Sequence, residues 1–422
     1  MPRLDRNRRE SDAGGRNPFR PRRCMCAGLL SLVLLFAAAI PSRAAGDSTG
    51  VGVPGVTATP DDAPAVDYLW VLRNSLVDAD DVPRVVERAR RMGVRGLLVQ
   101  VVGRGDAWYR SDLLPAPEPM NGPGRDPLGE LLPLAHAAGL EVHAWVNVCL
   151  VWSGPRPPRS PRHVLNANPE WVARTADGRS MSRLTPRQLA RMGVEGVYLA
   201  PGHPGVQRWT AEMVKELVAR YPVDGVHLDY IRQPSVPTGY DPTTRARFAL
   251  VHRVDPLRFD REPPVWRAHL DSLWADFNRE QVTTVVRGIR DSVNAVRPGL
   301  PISAAVYPDT LAAQAARAQA WGTWLRTGLL DRAFLMCYSP AVPTVLGQLT
   351  AAADGVGSTR VVPGIAVYNS PITSAAAKIK AARAMGFPAV ALYSYDSLYE
   401  RPALWDRLRG LLDVRDPLED RP

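Results

Sequence analysis

The feature that most constrains this chain is a repeated alternation of short apolar strands with helices. Buried-type strand segments alternate with stretches of helical spacing along most of its length. Strands joined through helices pair in parallel with right-handed crossovers. Eight such units in one chain predict an α/β fold, a (β/α)8 TIM barrel, in preference to an open doubly wound sheet. The predicted strands span residues 68–72, 96–102, 141–148, 223–230, 301–307, 332–338, 361–368 and 389–395.

Two of the predicted connections are much longer than the others. Residues 150–207 follow the third strand, and residues 231–266 follow the fourth. Loops of this length in a compact domain are usually functional or carry added elements. Because the loops that follow barrel strands gather at one rim, the candidate site residues are those at the carboxyl ends of strands.

The amino-terminal 45 residues have the layout of an export signal. An Arg-rich region precedes an apolar run at 27–40, and small residues around Ala44 suit cleavage. This run is shorter than the roughly 20 residues that a spanning helix needs. We expect a secreted, periplasmic or envelope protein without a stable membrane span once the signal is cleaved, the alternative being an uncleaved anchor. The predicted organisation is a signal peptide at 1–45, a flexible linker at 46–65, one barrel domain at 66–415 and a tail at 416–422.

The formal net charge of +10 is concentrated at the amino end, where residues 1–45 hold nine Arg and three acidic residues. The excess positive charge elsewhere is mild and scattered, so we expect no nucleic-acid partner. Beyond the signal only Cys149 and Cys337 remain. Each lies near the end of a different predicted strand, and the two strands lie across the predicted barrel, so we expect two buried free thiols rather than a disulfide.

The fourth predicted strand delivers the strongest candidate for a catalytic residue. In VDGVHLDYIRQP, Val226 and Leu228 alternate with His227 and Asp229, so the two polar residues share one face of the strand. Asp229 lies where the strand gives way to a long loop, the position where barrel enzymes place their chemistry. The alternative is a carboxylate that caps the loop or pairs with Arg232.

Several strings between residues 69 and 398 resemble glycoside hydrolase-like family 10, the YngK-type glycosyl hydrolase-like barrels of bacterial envelope proteins. The resemblance implies an exported barrel that hydrolyses or binds an envelope or extracellular glycan. The chain departs from the family pattern at Tyr230, where members commonly carry a second acidic residue, and at VYPD after the fifth strand. It also lacks a Cys placed for lipidation. The strings are LWVLR, VQVVGRGDAWYRSDLLP, GLEVHAWVNV, HVLNANPEWV, YLAPGHPGV, VDGVHLDYIRQP and VALYSYDSL.

Glycoside hydrolysis normally requires two carboxyl groups, about 5 Å apart or about 6.5–9.5 Å apart. With Asp229 as nucleophile or base, Asp106 in GRGDAWY is the second candidate, and its alternative is a turn-forming Asp. Asp309 and Asp396 are weaker candidates, since an Asp before a helix is commonly a cap. No Glu stands at a predicted strand end, which leaves a non-catalytic glycan-binding barrel as the alternative function.

Polar and aromatic residues near the strand ends are candidate substrate contacts, because sugars suit aromatic planes beside hydrogen-bonding groups. Arg73 and Arg104 are expected to pair with a carboxylate on the substrate, unless they form salt bridges to Asp106 or Asp229. The alternative for each histidine is a core residue with satisfied hydrogen bonds. The candidate contacts are Arg73, Arg104, His143, Trp145, Asn147, His227, Tyr230, Tyr338 and Tyr368.

A metal-dependent deacetylase or amidase is the third possible function. Such barrels usually hold their metal with a close His pair on an early strand, and the first strand, YLWVLRN, has no His. The sequence also lacks GxxxxGK, GxSxG and CxxC motifs. We therefore expect no metal and no cofactor, and predict a glycosidase acting on a bacterial polysaccharide, with peptidoglycan glycan as the first substrate to test.

Overall fold

The computed structural model describes residues 64–118, 124–401 and 403–412. The predicted signal peptide, residues 46–63 of the predicted linker and the predicted tail lie outside the described residues. Among the described residues, no helix combines the length and the apolar character that crossing a bilayer requires.

Eight parallel strands close into a barrel, which confirms the predicted fold. The strands are β1 (Tyr68–Val71), β2 (Gly96–Val102), β3 (Glu141–Asn147), β6 (Gly225–Asp229), β7 (Ile302–Val306), β8 (Arg332–Cys337), β9 (Val361–Ala366) and β10 (Ala391–Tyr393). Pairing of β1 with both β2 and β10 completes the closure. Two further strands, β4 (Leu150–Trp152) and β5 (Val197–Tyr198), form a small antiparallel sheet in the long connection after β3.

Helices connect the barrel strands and fill the two long connections. Those following β3 and β6 carry added elements, as expected, with α3 and α4 in the first and α6 in the second. The helices are α1 (Asp81–Met92), α2 (Pro127–Ala137), α3 (Val164–Ala167), α4 (Pro186–Arg191), α5 (Pro204–Arg220), α6 (Pro242–His252), α7 (Pro264–Val296), α8 (Thr310–Arg317), α9 (Trp321–Arg326), α10 (Val342–Val356), α11 (Ile372–Ala384), α12 (Tyr395–Tyr399) and α13 (Ala403–Leu412).

Alternation along the strands divides the buried side chains into two cores. Leu69 and Val71 join the large core that includes the helices, whereas Tyr68 and Trp70 join a separate cluster with residues such as Phe334. The Trp70 ring packs edge-on against Phe334, with ring centroids 5.7 Å apart. The second cluster fills the barrel interior, because successive strand residues point to opposite faces.

The helical connection between β7 and β8 is interrupted near its middle. Two helices, α8 and α9, are separated at Ala318, which has φ 54°. The adjoining Gln319 is fully buried; its Oε1 accepts a hydrogen bond from the Tyr307 N–H and its Nε2 donates to the Ala305 carbonyl. The helix therefore breaks beside Gln319, whose side chain supplies hydrogen-bond partners to two backbone groups at the end of β7.

The two cysteines of the described region, Cys149 and Cys337, are free and buried, as predicted. Burial raises the pKa of each thiol to about 12. Both thiols therefore remain protonated at neutral pH, which leaves them poorly nucleophilic.

Gly364 on β9 provides a test of the packing inside the barrel. A Cβ at this position would lie 2.7 Å from the Leu335 carbonyl oxygen and 2.7 Å from the Trp70 ring. We expect Gly364→Ala to lower the free energy of unfolding by about 1–3 kcal/mol, measured by urea denaturation.

The matched control is Gly347→Ala in α10, where the added Cβ meets no atom within 4 Å. Because glycine is unfavourable inside a helix, this variant should gain about 0.5–1 kcal/mol. Equal stability changes in the two variants would contradict the close packing of Trp70 against β9.

Candidate active site

Asp229 lies at the carboxyl end of β6, in the barrel mouth, and only 7% of its surface is exposed. Its Oδ1 accepts hydrogen bonds from the Tyr230 N–H at 2.6 Å and from Arg232 Nη1 at 3.3 Å. Burial raises the pKa of Asp229 above its ordinary value, while Arg232, the Tyr230 N–H and Trp145 act in the opposite direction. The second carboxylate oxygen takes part in neither of these two hydrogen bonds, so Oδ1 is the oxygen that they fix.

Arg232 links Asp229 to a second carboxylate. Its Nη2 donates to Glu195 Oε1 at 3.2 Å, and Glu195 Oε2 accepts from the Tyr198 hydroxyl at 2.9 Å. The guanidinium is buried and lies over the Tyr230 ring, 4.2 Å from its centroid. Glu195 was not identified from the sequence, because it belongs to the connection after β3 and no strand-end position marks it.

Tyr393, at the end of β10, collects the aromatic side chains of the mouth. Its ring centroid lies 5.1 Å from that of Tyr338, 6.0 Å from that of Tyr368 and 6.5 Å from that of Trp145. Burial, together with the negative charge of Asp229, raises the pKa of Tyr393 to about 12. Three predicted substrate contacts therefore surround Tyr393, which was not itself predicted as a contact. Of these three, Tyr368 is 48% exposed.

A chain of hydrogen bonds joins Arg73, which follows β1, to Gln100 in β2 and Asn147 at the end of β3. Arg73 Nη1 donates to Gln100 Oε1 at 2.7 Å, and Gln100 Nε2 donates to Asn147 Oδ1 at 3.5 Å. Asn147 Nδ2 then donates to the Gly103 carbonyl at 2.8 Å. Asn147 is therefore buried in the wall of the mouth. Gln100 could have been identified from the sequence, since it is the one polar residue in the strand GLLVQVV.

The two histidines predicted to bind sugar lie inside the barrel instead of at its mouth. His143 is near the amino end of β3, where its Nε2 is 3.2 Å from Glu141 Oε2. His227 Nε2 accepts from Trp70 Nε1 at 3.0 Å, and its Nδ1 is 2.9 Å from Ser303 Oγ. Burial holds the pKa of His227 well below its usual value. His227 therefore matches the alternative of a core histidine with satisfied hydrogen bonds, whereas the Nδ1 of the buried His143 has no hydrogen-bond partner.

The three candidates for a second catalytic acid have different surroundings. Asp309 is exposed and caps α8, accepting from the Ala312 N–H at 2.9 Å. Asp396 uses both oxygens, one for the Ser75 hydroxyl at 2.6 Å and one for the Leu72 N–H at 3.1 Å. Asp106 is 8% exposed and accepts from the Arg104 N–H at 3.0 Å through Oδ1 only. Of the three, Asp106 is the one that is buried and has a carboxylate oxygen, Oδ2, that takes no part in these hydrogen bonds.

A cleft of about 660 Å³ lies beside the mouth, between the loops that follow β1 and β2 and residues 152–163 of the long connection. Arg73, Arg104 and Asp106 line it, together with Trp152, whereas Asp229 does not. The predicted salt bridges from the two arginines to Asp106 or Asp229 are not among the ion pairs of the described residues. Those residues also contain no group of three or more His, Cys, Asp or Glu side chains placed to hold a metal ion.

Comparison with curated proteins finds two groups of relatives. Over 151 residues, 34% are identical to the glycosyl hydrolase DigH of Escherichia coli strain K12, a match covering 34% of this chain and 32% of the relative. Over 222 residues, 24% are identical to the glycosyl hydrolase YngK of Bacillus subtilis strain 168, covering 51% of this chain and 37% of the relative. The matches thus span about a third of the length of these relatives.

Solved structures share the fold at lower sequence identity. The PgaB (BpsB) glycoside hydrolase domain from Bordetella bronchiseptica aligns with a TM-score of 0.62 and 16% identity, covering 83% of this chain and 99% of that domain. An alpha-L-fucosidase, isoenzyme 2 from Paenibacillus thiaminolyticus, aligns with a TM-score of 0.54 and 15% identity, covering 82% of this chain and 49% of the other. The family model for Glycosyl hydrolase-like 10 matches residues 69–381. With most of the barrel inside that match, the chain belongs to the Glycosyl hydrolase-like 10 family.

Proposed function

We propose that this protein is an exported glycoside hydrolase that cleaves O-glycosyl bonds in a bacterial envelope or extracellular polysaccharide. The observation that carries the proposal is Asp229, a buried carboxylate at the barrel mouth with one oxygen held by Tyr230 N–H and Arg232. Membership of a glycosyl hydrolase-like family supports it. Peptidoglycan glycan is the first substrate to test, and the signal-like residues 1–45 support export.

In the proposed mechanism Asp229 is the nucleophile or base. Arg232 favours its ionised form against the effect of burial, and the two hydrogen bonds to Oδ1 fix the direction of the other oxygen. Asp106 is the candidate acid, since Asp309 and Asp396 are engaged in caps and loop contacts. The distance between the two carboxyl groups when a sugar is bound would then decide between a retaining and an inverting reaction.

The aromatic side chains around Tyr393 complete the proposed sugar site. Tyr338, Tyr368 and Trp145 have rings within 6.5 Å of the Tyr393 ring, centroid to centroid. Sugars present apolar C–H faces, which pack on aromatic planes, while hydroxyl groups at their edges need polar partners. Such a surface beside Asp229 is suited to hold a sugar ring with its glycosidic bond near the carboxylate.

A glycan-binding barrel without catalysis is the second candidate function. The observation that favours it is the engagement of both Asp396 oxygens and the use of Asp309 as a cap, which leaves few acids free to form a pair. Pull-down on purified glycans, followed by analysis of reducing ends, separates the two functions. Retention of the protein on a glycan without new reducing ends would select the binding function.

Replacing Asp229 by Asn tests the catalytic assignment. Loss of the ionised oxygen should lower the rate of glycan cleavage by about 10³-fold, measured as reducing ends released, because nucleophilic or base catalysis needs the carboxylate. Asp309→Asn is the matched control and should retain wild-type activity, since Asn caps a helix about as well as Asp. Wild-type activity in Asp229→Asn would refute the assignment.

The same pair of variants tests the raised pKa of Asp229. Burial raises this pKa above 3.8, so the folded chain takes up a proton more readily than the unfolded chain. The ionised group therefore costs stability at pH values above the raised pKa, and the cost disappears as the pH falls below about 3.8. Asp229→Asn should gain stability over wild type at about pH 7 and lose that gain at about pH 3.5. The gain amounts to about 1.4 kcal/mol for each tenfold difference in proton affinity between the folded and unfolded chains.

Urea denaturation at the two pH values measures this difference, with Asp309→Asn as the control for removing an exposed carboxylate. A gain in Asp229→Asn that is as large at low pH as at neutral pH would contradict a raised pKa.

A further inference from the structure

Arg73 and Arg104 present two positive charges to the cleft beside the barrel mouth. Neither side chain forms an ion pair with an acid within the described part of the chain. The pKa of Arg73 is lowered, first by burial and next by the charge of Arg104, and Asp106 offsets these effects in part. Two neighbouring cations that are partly removed from water and only partly compensated by Asp106 are unfavourable, and a bound anion would relieve both costs.

Two buried side chains hold the backbone of Arg104 in place. Its N–H donates to Asp106 Oδ1 at 3.0 Å, and its carbonyl lies 2.7 Å from Nε2 of the buried His163. The His163 Nδ1 accepts from the Leu165 N–H, so the proton lies on Nε2 and is donated to Arg104. In the side chain, Nε donates to Ser153 Oγ at 2.9 Å, and the two terminal nitrogens have no hydrogen-bond partner among the described residues.

Arg73 is held by β2 and by the first residue after it. Its Nη1 donates to Gln100, and its side chain packs so closely on Gly103 that a Cβ there would lie 2.6 Å from Arg73 Cδ. The remaining guanidinium nitrogens, Nε and Nη2, have no acceptor in the described region. Both arginines are thus fixed by the scaffold while keeping donors for a ligand.

The cleft adjoins the surroundings of Asp229. Arg73 packs on Gly103, whose carbonyl accepts a hydrogen bond from Asn147, and Asn147 pairs with Asp229 across β3 and β6. Trp152 also lines the cleft, half-buried, with its Nε1 donating to the Arg156 carbonyl at 2.7 Å. A glycan with one sugar at Asp229 would therefore extend neighbouring sugars past Arg73 towards the Trp152 ring.

The cleft has an excess of positive charge, and its guanidinium donors suit a carboxylate. Arg156 adds a third cation that has no ion pair among the described residues, whereas Arg159 is paired with Glu118 at 3.7 Å. A carboxylate carries one charge, and its two oxygens match the fork of guanidinium donors.

We propose that this cleft binds the carboxylate substituent of an acidic glycan, with Arg73 and Arg104 as specificity-determining residues. The inference rests on the proposed function and adds a substrate class to it. It predicts that the protein distinguishes two glycans that differ only in whether the carboxylate is present.

The test uses peptidoglycan glycan strands freed of peptides and the same strands after chemical reduction of their carboxylates to alcohols. Wild type should cleave the carboxylated strands with a kcat/KM at least about tenfold higher, as expected for charge-assisted hydrogen bonds. Arg104→Gln should cleave both strands at the rate that wild type shows on the reduced ones. Arg91→Gln, an exposed position on α1 that does not line the cleft, is the control and should keep the preference.

Equal cleavage of the two strands by wild type would overturn the inference and leave the proposed function standing, as would an undiminished preference in Arg104→Gln. Absence of cleavage of either strand would instead count against the proposed function. Equilibrium binding of the same two strands then decides the inference. Tighter binding of the carboxylated strand that is lost in Arg104→Gln supports it, and equal binding overturns it.

Discussion

The buried guanidinium of Arg232 is the interaction on which the candidate site depends. A carboxylate as enclosed as Asp229 would lose its charge to solvent exclusion unless a positive group lay beside it. Arg232 provides that group and is itself neutralised by Asp229 and Glu195, at 3.3 Å and 3.2 Å. Removing the guanidinium would leave Asp229 buried without a counter-charge, which typically costs about 3–5 kcal/mol, so Arg232 is the charge that the site cannot lose. Glu195 links the long connection after β3 to Arg232 and thus to the end of β6.

That connection has a second role, because it builds the cleft as well as the mouth. His163 fixes the carbonyl of Arg104, and Trp152 packs its ring edge-on against His163 at 5.2 Å between centroids. The β4–β5 sheet anchors this segment, with Leu150 paired to Tyr198. Tyr198 in turn donates to Glu195. A single insertion therefore couples the charge of Asp229 to the shape of the neighbouring cleft.

The barrel and the place of Asp229 could be predicted from local sequence, since strand alternation and strand ends are properties of short segments. The partners of Asp229 could not be predicted in the same way. Glu195 meets Arg232 only through the fold, 37 residues away in sequence. His143 and His227 share the inward face with Asp229, but period-2 alternation does not give height along the barrel axis. That height decides whether an inward residue meets substrate or another core side chain.

Tyr230 shows why a second acid has to be found elsewhere. It stands where the family pattern commonly has an acidic residue, in a left-handed conformation with φ 50°. Its ring covers the Arg232 guanidinium, which two carboxylates already neutralise. A third carboxylate there would be partly buried without a counter-charge of its own, at a cost that the present tyrosine avoids. Beside Arg73 and Arg104 the balance of charge is reversed, because positive charge is in excess there. Asp106 is the acidic residue that lies beside these two arginines.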